Sequence, residues 1–267
     1  RLGVISCIYL HGAKKNLIYN RLDEWKSCVT IERLNKVNKR AMAHRLLGRR
    51  FPSAPNKMKE LSQQFNYLLL LDFEATCEKN VPLKPQEIIE FPCIVLSTQD
   101  WQVKDLFHQY VKPRVHPILT SFCTDLTGIM QETIDDQTHF PNVFAKFNEW
   151  LTTGGFLRDD NTSAFVTCGD WDLKIMLPSQ CNLEGLSVPK HFDKWIDLKK
   201  SYCDATDLYP RSLKHMLINL GLPLQGRLHS GLHDVHNMMR IIVRLNESYN
   251  ATFKITSTRE SNIYPWL

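Results

Sequence analysis

The chain has 267 residues, 43% of them apolar and 23% charged, which is ordinary for a globular domain and favours neither a disordered nor a membrane class. That length suits one large domain or a medium one with an accessory segment, and no apolar run approaches the roughly 18 residues of a membrane-spanning helix. The net charge of +5 is uneven: residues 1–60 hold 14 Lys and Arg against 4 Asp and Glu, leaving 19 against 24 in residues 61–267, so the basic N-terminal part is either a surface for a polyanion or a solvated arm.

The chain opens on Arg1 rather than on Met, so its natural start is expected to lie elsewhere. Val4 to Leu10 is too short for the apolar stretch of a secretory leader. The eight cysteines include no C-x-x-C pair, which argues against a zinc or redox motif. They read as reduced thiols of an intracellular protein of the cytoplasm or nucleus.

In chain order, a helical stretch is expected around Arg33 to Leu47, and Gly48 to Pro55, with two prolines, reads as a linker. Met58 to Gln64 is expected as a short helix leading into Tyr67 to Phe73, an apolar run of strand length. Strands over Glu87 to Leu96 and Val103 to Val111 follow, giving an antiparallel meander. Thr120 is a candidate N-cap for a segment that Gly128 ends, and Phe140 to Leu151 shows helical spacing of Val143, Phe144, Phe147, Trp150 and Leu151. Ala164 to Thr167 reads as a buried strand and Asp170 to Gln180 as helical apart from Pro178. Arg211 to Leu220 and Leu232 to Leu245 read as two further helices. This is a mixed α/β layer protein with a partly antiparallel sheet.

Three segments carry chemistry. Leu71-Asp72-Phe73-Glu74 ends the most apolar strand; residues i and i+2 of a strand share a face, so two carboxylates stand side by side and repel unless a cation lies between them. Cys168-Gly-Asp170-Trp171-Asp172 runs from a strand into a helix start, where Asp170 is expected as the N-cap and Asp172 as a metal ligand. His229 and Asp234 precede and open the last strong helix. They are too far apart to share a helical face, yet a loop histidine and a first-turn aspartate can converge. Four acids and one histidine suit a hard divalent cation better than zinc. Two such ions on a phosphodiester, with a histidine that titrates near neutrality as base, make a hydrolytic centre.

These residues resemble the DEDDh, DnaQ-like or RNase T-like, exonucleases, whose motifs D-x-E, aromatic-Asp and H-x-x-x-x-D correspond to Asp72 with Glu74, Trp171-Asp172, and His229 with Asp234. The stretches Leu71 to Cys77, Pro85 to Pro92, Phe122 with Leu126 to Ile129, Cys168 to Asp172 and Trp195 to Leu198 are similar to the enhanced-RNAi exoribonuclease branch, over roughly residues 65–245. The resemblance implies an RNase H-like mixed sheet flanked by helices, and a 3′→5′ exoribonuclease that starts at a free 3′ hydroxyl and releases nucleoside 5′-monophosphates. It implies two Mg²⁺ ions, with Mn²⁺ as a substitute, held by Asp72, Glu74, Asp172 and Asp234. Glu74 and His229 would be catalytic, His229 as general base. Glu74, Ala75, Thr76, Phe122, Leu126, Trp171 and His229 would meet the substrate. The expected partner is RNA, or DNA in an enzyme of dual or DNA specificity; no membrane contact is expected. The competing class is a nucleic-acid-binding module without turnover. His233 stands where the branch has a second acid, and nothing in residues 1–60 resembles the SAP domain that some members carry. The expected organisation is a basic extension over 1–60, an exonuclease domain over 61–250 and a tail over 251–267.

Overall fold

Four consecutive leucines, Leu68 to Leu71, offer no polar face to solvent, so their segment fits only the centre of a sheet. The computed structural model, which describes residues 62–158 and 162–259, places it there. Strand β1 (Tyr67–Leu71) pairs antiparallel with β3 (Ile88–Ser97) on one side and parallel with β5 (Ser163–Thr167) on the other. All four leucines are buried, each contributing roughly 1.5–3 kcal/mol of transfer free energy.

The strand β2 (Glu74–Ala75) prolongs β1 along the same edge of β3. Leu71 faces Cys93 and Glu74 faces Glu90, and Asp72 and Phe73 lie in the gap between. The strand β4 (Val103–Tyr110) pairs antiparallel with β3, β6 (Lys194–Asp197) lies parallel to β5, and β7 (Ser257–Thr258) pairs with β6. The seven-stranded sheet therefore runs β2-β3-β1-β5-β6-β7, with β4 also on β3.

Helix α1 (Ser121–Thr127) starts at Thr120, whose side chain accepts from the Cys123 N–H, and ends at Gly128 in the left-handed region. Both caps are as the sequence predicts. After α2 (Gln131–Asp135), helix α3 (Phe140–Thr153) lays Val143, Phe144, Phe147 and Leu151 on one face of the sheet, in a cluster with Leu69, Leu71, Phe91, Phe107 and Phe165. Helix α7 (Gly231–Tyr249) packs against β3 and β1 and contributes nothing to that cluster, so it covers the other face.

The segment expected as one helix over Asp170 to Gln180 divides. Asp172–Met176 forms a π turn, in which the Leu177 N–H donates to the Asp172 carbonyl, and α4 (Leu177–Leu183) follows. A proline ring clashes with the carbonyl four residues before it, and the wider turn ahead of Pro178 accommodates that clash. Helix α5 (Leu198–Thr206) begins where β6 ends, and α6 (Leu213–Asn219), capped by Ser212, is shorter than the expected Arg211 to Leu220.

Other expectations are corrected. Residues 62–64, the described end of the helix expected over Met58 to Gln64, are not helical; its beginning, the Arg33 to Leu47 helix, the linker and the extension over 1–60 lie outside the described residues. Glu87 does not enter β3, because its carboxylate turns to accept the N–H groups of Val115 (2.9 Å) and His116 (2.7 Å). The expected tail is part of the domain as far as it is described: Ala251 and Phe253 are buried, and Gln63 holds both, donating to the Ala251 carbonyl (2.9 Å) and accepting from the Phe253 N–H (3.0 Å).

Candidate active site

Parallel strands deliver their carboxyl ends to one edge of a sheet, where loops converge. Here β1 delivers Asp72 and β5 delivers Cys168, with the π turn carrying Asp172 just beyond. The pocket at this edge has a volume of about 290 Å³ and is lined by Asp72, Phe73, Glu74, Ala75, Leu126, Trp171, Asp172 and His229, together with Cys77, Gln86 and Cys168.

Helix α7 brings the remaining pieces. Its first turn leaves N–H groups without helical partners, and the Ser230 side chain does not cap them. Glu90, a buried glutamate in the otherwise apolar start of β3, accepts from the N–H of Gly231 (2.9 Å) and Leu232 (3.3 Å), and lies 2.8 Å from Nε2 of His108. The opposite charge near the helix start also suits the helix dipole. One turn later, Asp234 Oδ2 accepts the backbone N–H of His229 (2.8 Å), so the five-residue spacing folds the loop histidine back over the helix start. His229 takes a left-handed φ of 59° to do so.

Gly231 makes this approach possible. A Cβ there would stand 2.8 Å from the backbone oxygen of Asp72 and 2.9 Å from Cγ of Pro92, closer than carbon contacts tolerate. The glycine lets α7 touch the chain at Asp72.

The electrostatics are those of a crowded anionic site. Burial first, then the charges of Asp172, Asp234, Glu74 and Glu90, raises the Asp72 carboxyl well above its ordinary value. Glu74 is pushed up to about 9, by burial and then by Glu90, Asp234 and Asp172, with Arg227 opposing. Burial also raises Asp172 and Asp234, against hydrogen bonds from the Phe73 N–H (2.8 Å) and the His229 N–H. Carboxylates held this way either keep protons or share a cation.

A cation fits. Glu74, His229 and Asp234 present ligand atoms all within 4.8 Å of one another, and Asp234 Oδ1 is buried without a hydrogen-bond partner. The carboxylate oxygens are the donors that hard divalent ions take.

Two expected substrate residues lie outside the pocket lining. Thr76 follows β2 and is buried; its Oγ1 accepts the Glu87 N–H (3.0 Å), and its own N–H donates to the Glu87 carbonyl, closing the neck of the 77–86 loop. Phe122 is half-buried one turn before Leu126, and only Leu126, in the last turn of α1, reaches the pocket. Asp170 is not the expected N-cap: its carboxylate accepts from Trp195 Nε1 (3.0 Å), Ser257 Oγ (2.6 Å) and Lys200 Nζ (3.4 Å), tying β5 to β6, α5 and β7. Glu90 was missed as a site residue, although a glutamate inside Ile88-Ile89-Glu90-Phe91 is itself the sign of a buried, partnered carboxylate.

Residues 69–242, more than half of the chain, match the family profile described as RNase_T, Exonuclease. The chain belongs to the RNase_T exonuclease family. Among curated members of this family, ERI1 exoribonuclease 3 of Mus musculus is 47% identical over 185 residues, covering 68% of this chain and 54% of that protein. The 3′-5′ exoribonuclease 1 of Rattus norvegicus is 41% identical over 185 residues, covering 68% and 53%. This exonuclease-family chain thus spans about half the length of the curated relatives it matches. Of solved structures, the nuclease domain of 3′hExo, a DEDDh family member bound to rAMP, superposes with a TM-score of 0.69 at 36% identity, over 74% of this chain and all of that one. A 3′-exonuclease described in 3′-end specific recognition of a histone mRNA stem-loop gives 0.71 at 35%, over 75% and 89%. The RNase_T chain therefore has the RNase H-like fold of DEDDh exonuclease domains, a divalent-metal-dependent family.

Proposed function

We propose that this chain is a 3′→5′ exoribonuclease that removes nucleoside 5′-monophosphates from a free 3′ hydroxyl. The observation that carries the reading is the convergence of His229 with Glu74 and Asp234 within 4.8 Å, at the pocket that Glu74 and His229 line together with Asp72 and Asp172. The resemblance to proteins named exoribonucleases supports RNA as the substrate. Six cysteines, free and unpaired among the described residues, support a reducing, intracellular setting.

Asp72, Glu74, Asp172 and Asp234 would hold two divalent cations, Mg²⁺ or in its place Mn²⁺. Bound there, the ions would acidify the attacking water and neutralise charge on the phosphodiester. The protein's own residues do the rest. His229, exposed at the pocket mouth, takes the water's proton on its imidazole; the bond between its main-chain N–H and Asp234 fixes the backbone from which the ring projects. The backbone at Glu74 and Ala75 meets the terminal 3′ hydroxyl, and Leu126 and Trp171 pack on the terminal base.

The test is digestion of matched RNA strands with free and blocked 3′ ends, beside the corresponding DNA. Stepwise release of mononucleotides from the free RNA end, with the blocked strand intact, is expected; internal cuts in the blocked strand would refute an exonuclease, and preferred cleavage of DNA would reassign the substrate. His229→Ala should keep metal and RNA binding and lower turnover by about 10²–10⁴, the usual worth of an acid–base group.

A further inference from the structure

The pocket lining includes Cys168, the residue that follows β5. Beside β5 the next element along the sheet is β6, which runs straight into α5.

Lys199 lies in the first turn of α5. Its Nζ lies 3.9 Å from where a side chain on Gly169 would begin, and its charge acts on the thiol of Cys168 in the pocket wall. A lysine in a helix's first turn opposes the helix dipole, a modest cost that a nearby anion offsets. The neighbouring Lys200 has several: it lies 3.4 Å from Asp170 and 3.9 Å from Asp197, and donates to Ser257 Oγ (2.6 Å). Lys199 has no ion pair among the described residues. The nearby Asp197 Oδ1 instead accepts the Lys199 backbone N–H (2.8 Å). Lys199, half-buried as a residue, thus acts on Asp197 by charge without an ion pair within 4 Å, and its ammonium stands beside the pocket wall, where an anion from outside can meet it.

We propose that Lys199 binds the phosphodiester immediately upstream of the scissile one, so that it grips the departing strand rather than the leaving nucleotide. This rests on the exonuclease reading and adds to it a subsite. A minimal substrate lacking any upstream phosphate, the para-nitrophenyl ester of uridine 5′-monophosphate, separates the two. For Lys199→Gln, kcat/KM for a single-stranded oligouridylate should fall about tenfold relative to that of the ester, the worth of one charge-assisted contact. The log–log salt dependence of oligouridylate binding should lose about one unit of slope. Lys199→Arg should restore most of both. The melting temperature of Lys199→Gln, with no nucleic acid present, should be unchanged or higher.

An unaltered ratio and slope would overturn the assignment. So would a lower melting temperature with equal losses on both substrates, which would make Lys199 a structural residue. A wild-type protein that hydrolyses the ester but releases no mononucleotide from the oligouridylate would overturn the exonuclease reading itself, and the subsite with it.

Discussion

At the scale of single residues, the site is defined by protons as much as by positions. Because Asp72, Glu74, Asp172 and Asp234 are all raised above their ordinary values, the folded chain binds more protons than the unfolded chain between about pH 4 and the Glu74 value of about 9. The stability these groups contribute is present below their unfolded pKa and is lost as pH rises through that window. In chelator, the melting temperature should therefore fall from acid toward alkaline pH. Glu74→Gln, which cannot ionise, should flatten the fall. Mg²⁺ or Mn²⁺ should oppose it, by binding the folded form alone, and Asp72→Ala should lose that metal increment while its apo form stays as stable as the wild type or more so. Differential scanning fluorimetry across pH, with and without metal, reads all four; an apo melting temperature that rises through this range contradicts the crowded-carboxylate account.

At the scale of elements, the contact between α7 and β1 decides whether those residues meet. Gly231→Ala would drive a methyl group to 2.8 Å from the Asp72 backbone and 2.9 Å from Pro92, so the helix must retreat. A cost of about 1–3 kcal/mol is expected from overpacking, seen as an earlier midpoint in urea unfolding. The metal increment should shrink as well, because Asp234 and His229 ride on the moved helix. An alanine tolerated with full stability and full metal response would show that the approach is looser than it looks. What the sequence displayed of these elements depended on length. The leucine run of β1, the caps Thr120 and Gly128, and the apolar stripe of α7 are each long or chemically distinctive. The strand β2 has two residues, and β6 presents only Trp195 and Ile196 as an apolar pair before Asp197, so neither offers a period to read. The caps of α7 were equally hidden, since its N–H partners come from Glu90, 141 residues before Gly231 in the chain.

At the scale of the whole molecule, the described domain is closed by its last segment. Phe253 is buried, sits 6.1 Å from the ring of Trp101 and is tied to Gln63, while β7 completes the sheet edge on β6. Phe253→Ala should cost about 3–5 kcal/mol, as for a deleted core aromatic, measured by urea unfolding; a loss under about 1 kcal/mol, within the range of surface substitutions, would return the segment to the status of a tail. The convergence of Asp72, Glu74, Asp172 and Asp234 on one edge of the sheet was legible because each lies at a strand end or in an opening helical turn, within a short, distinctive motif. The closure was not, because a few apolar residues after a long helix carry no pattern until a partner strand is known. The role of Lys199 was hidden in the same way, since only the sheet order places the start of α5 beside the pocket.

The left-handed backbone of His229 has a cost that the rest of the chain must carry. A side chain at φ 59° sits where glycine is at ease, and a strained residue of this kind survives only where its surroundings over-determine it. His229→Gly should relieve about 1–2 kcal/mol of left-handed strain, of which the freer unfolded chain takes back about 0.4–1 kcal/mol, so thermal stability should rise slightly while turnover collapses; a variant that loses stability would show that the loop holds no such strain. If the gain appears, activity and robustness pull in opposite directions at this one position. A laboratory selection scoring survival of heating alone would then drift toward glycine and discard the proposed reaction, and a screen for hardier variants of this protein has to score cleavage in every round.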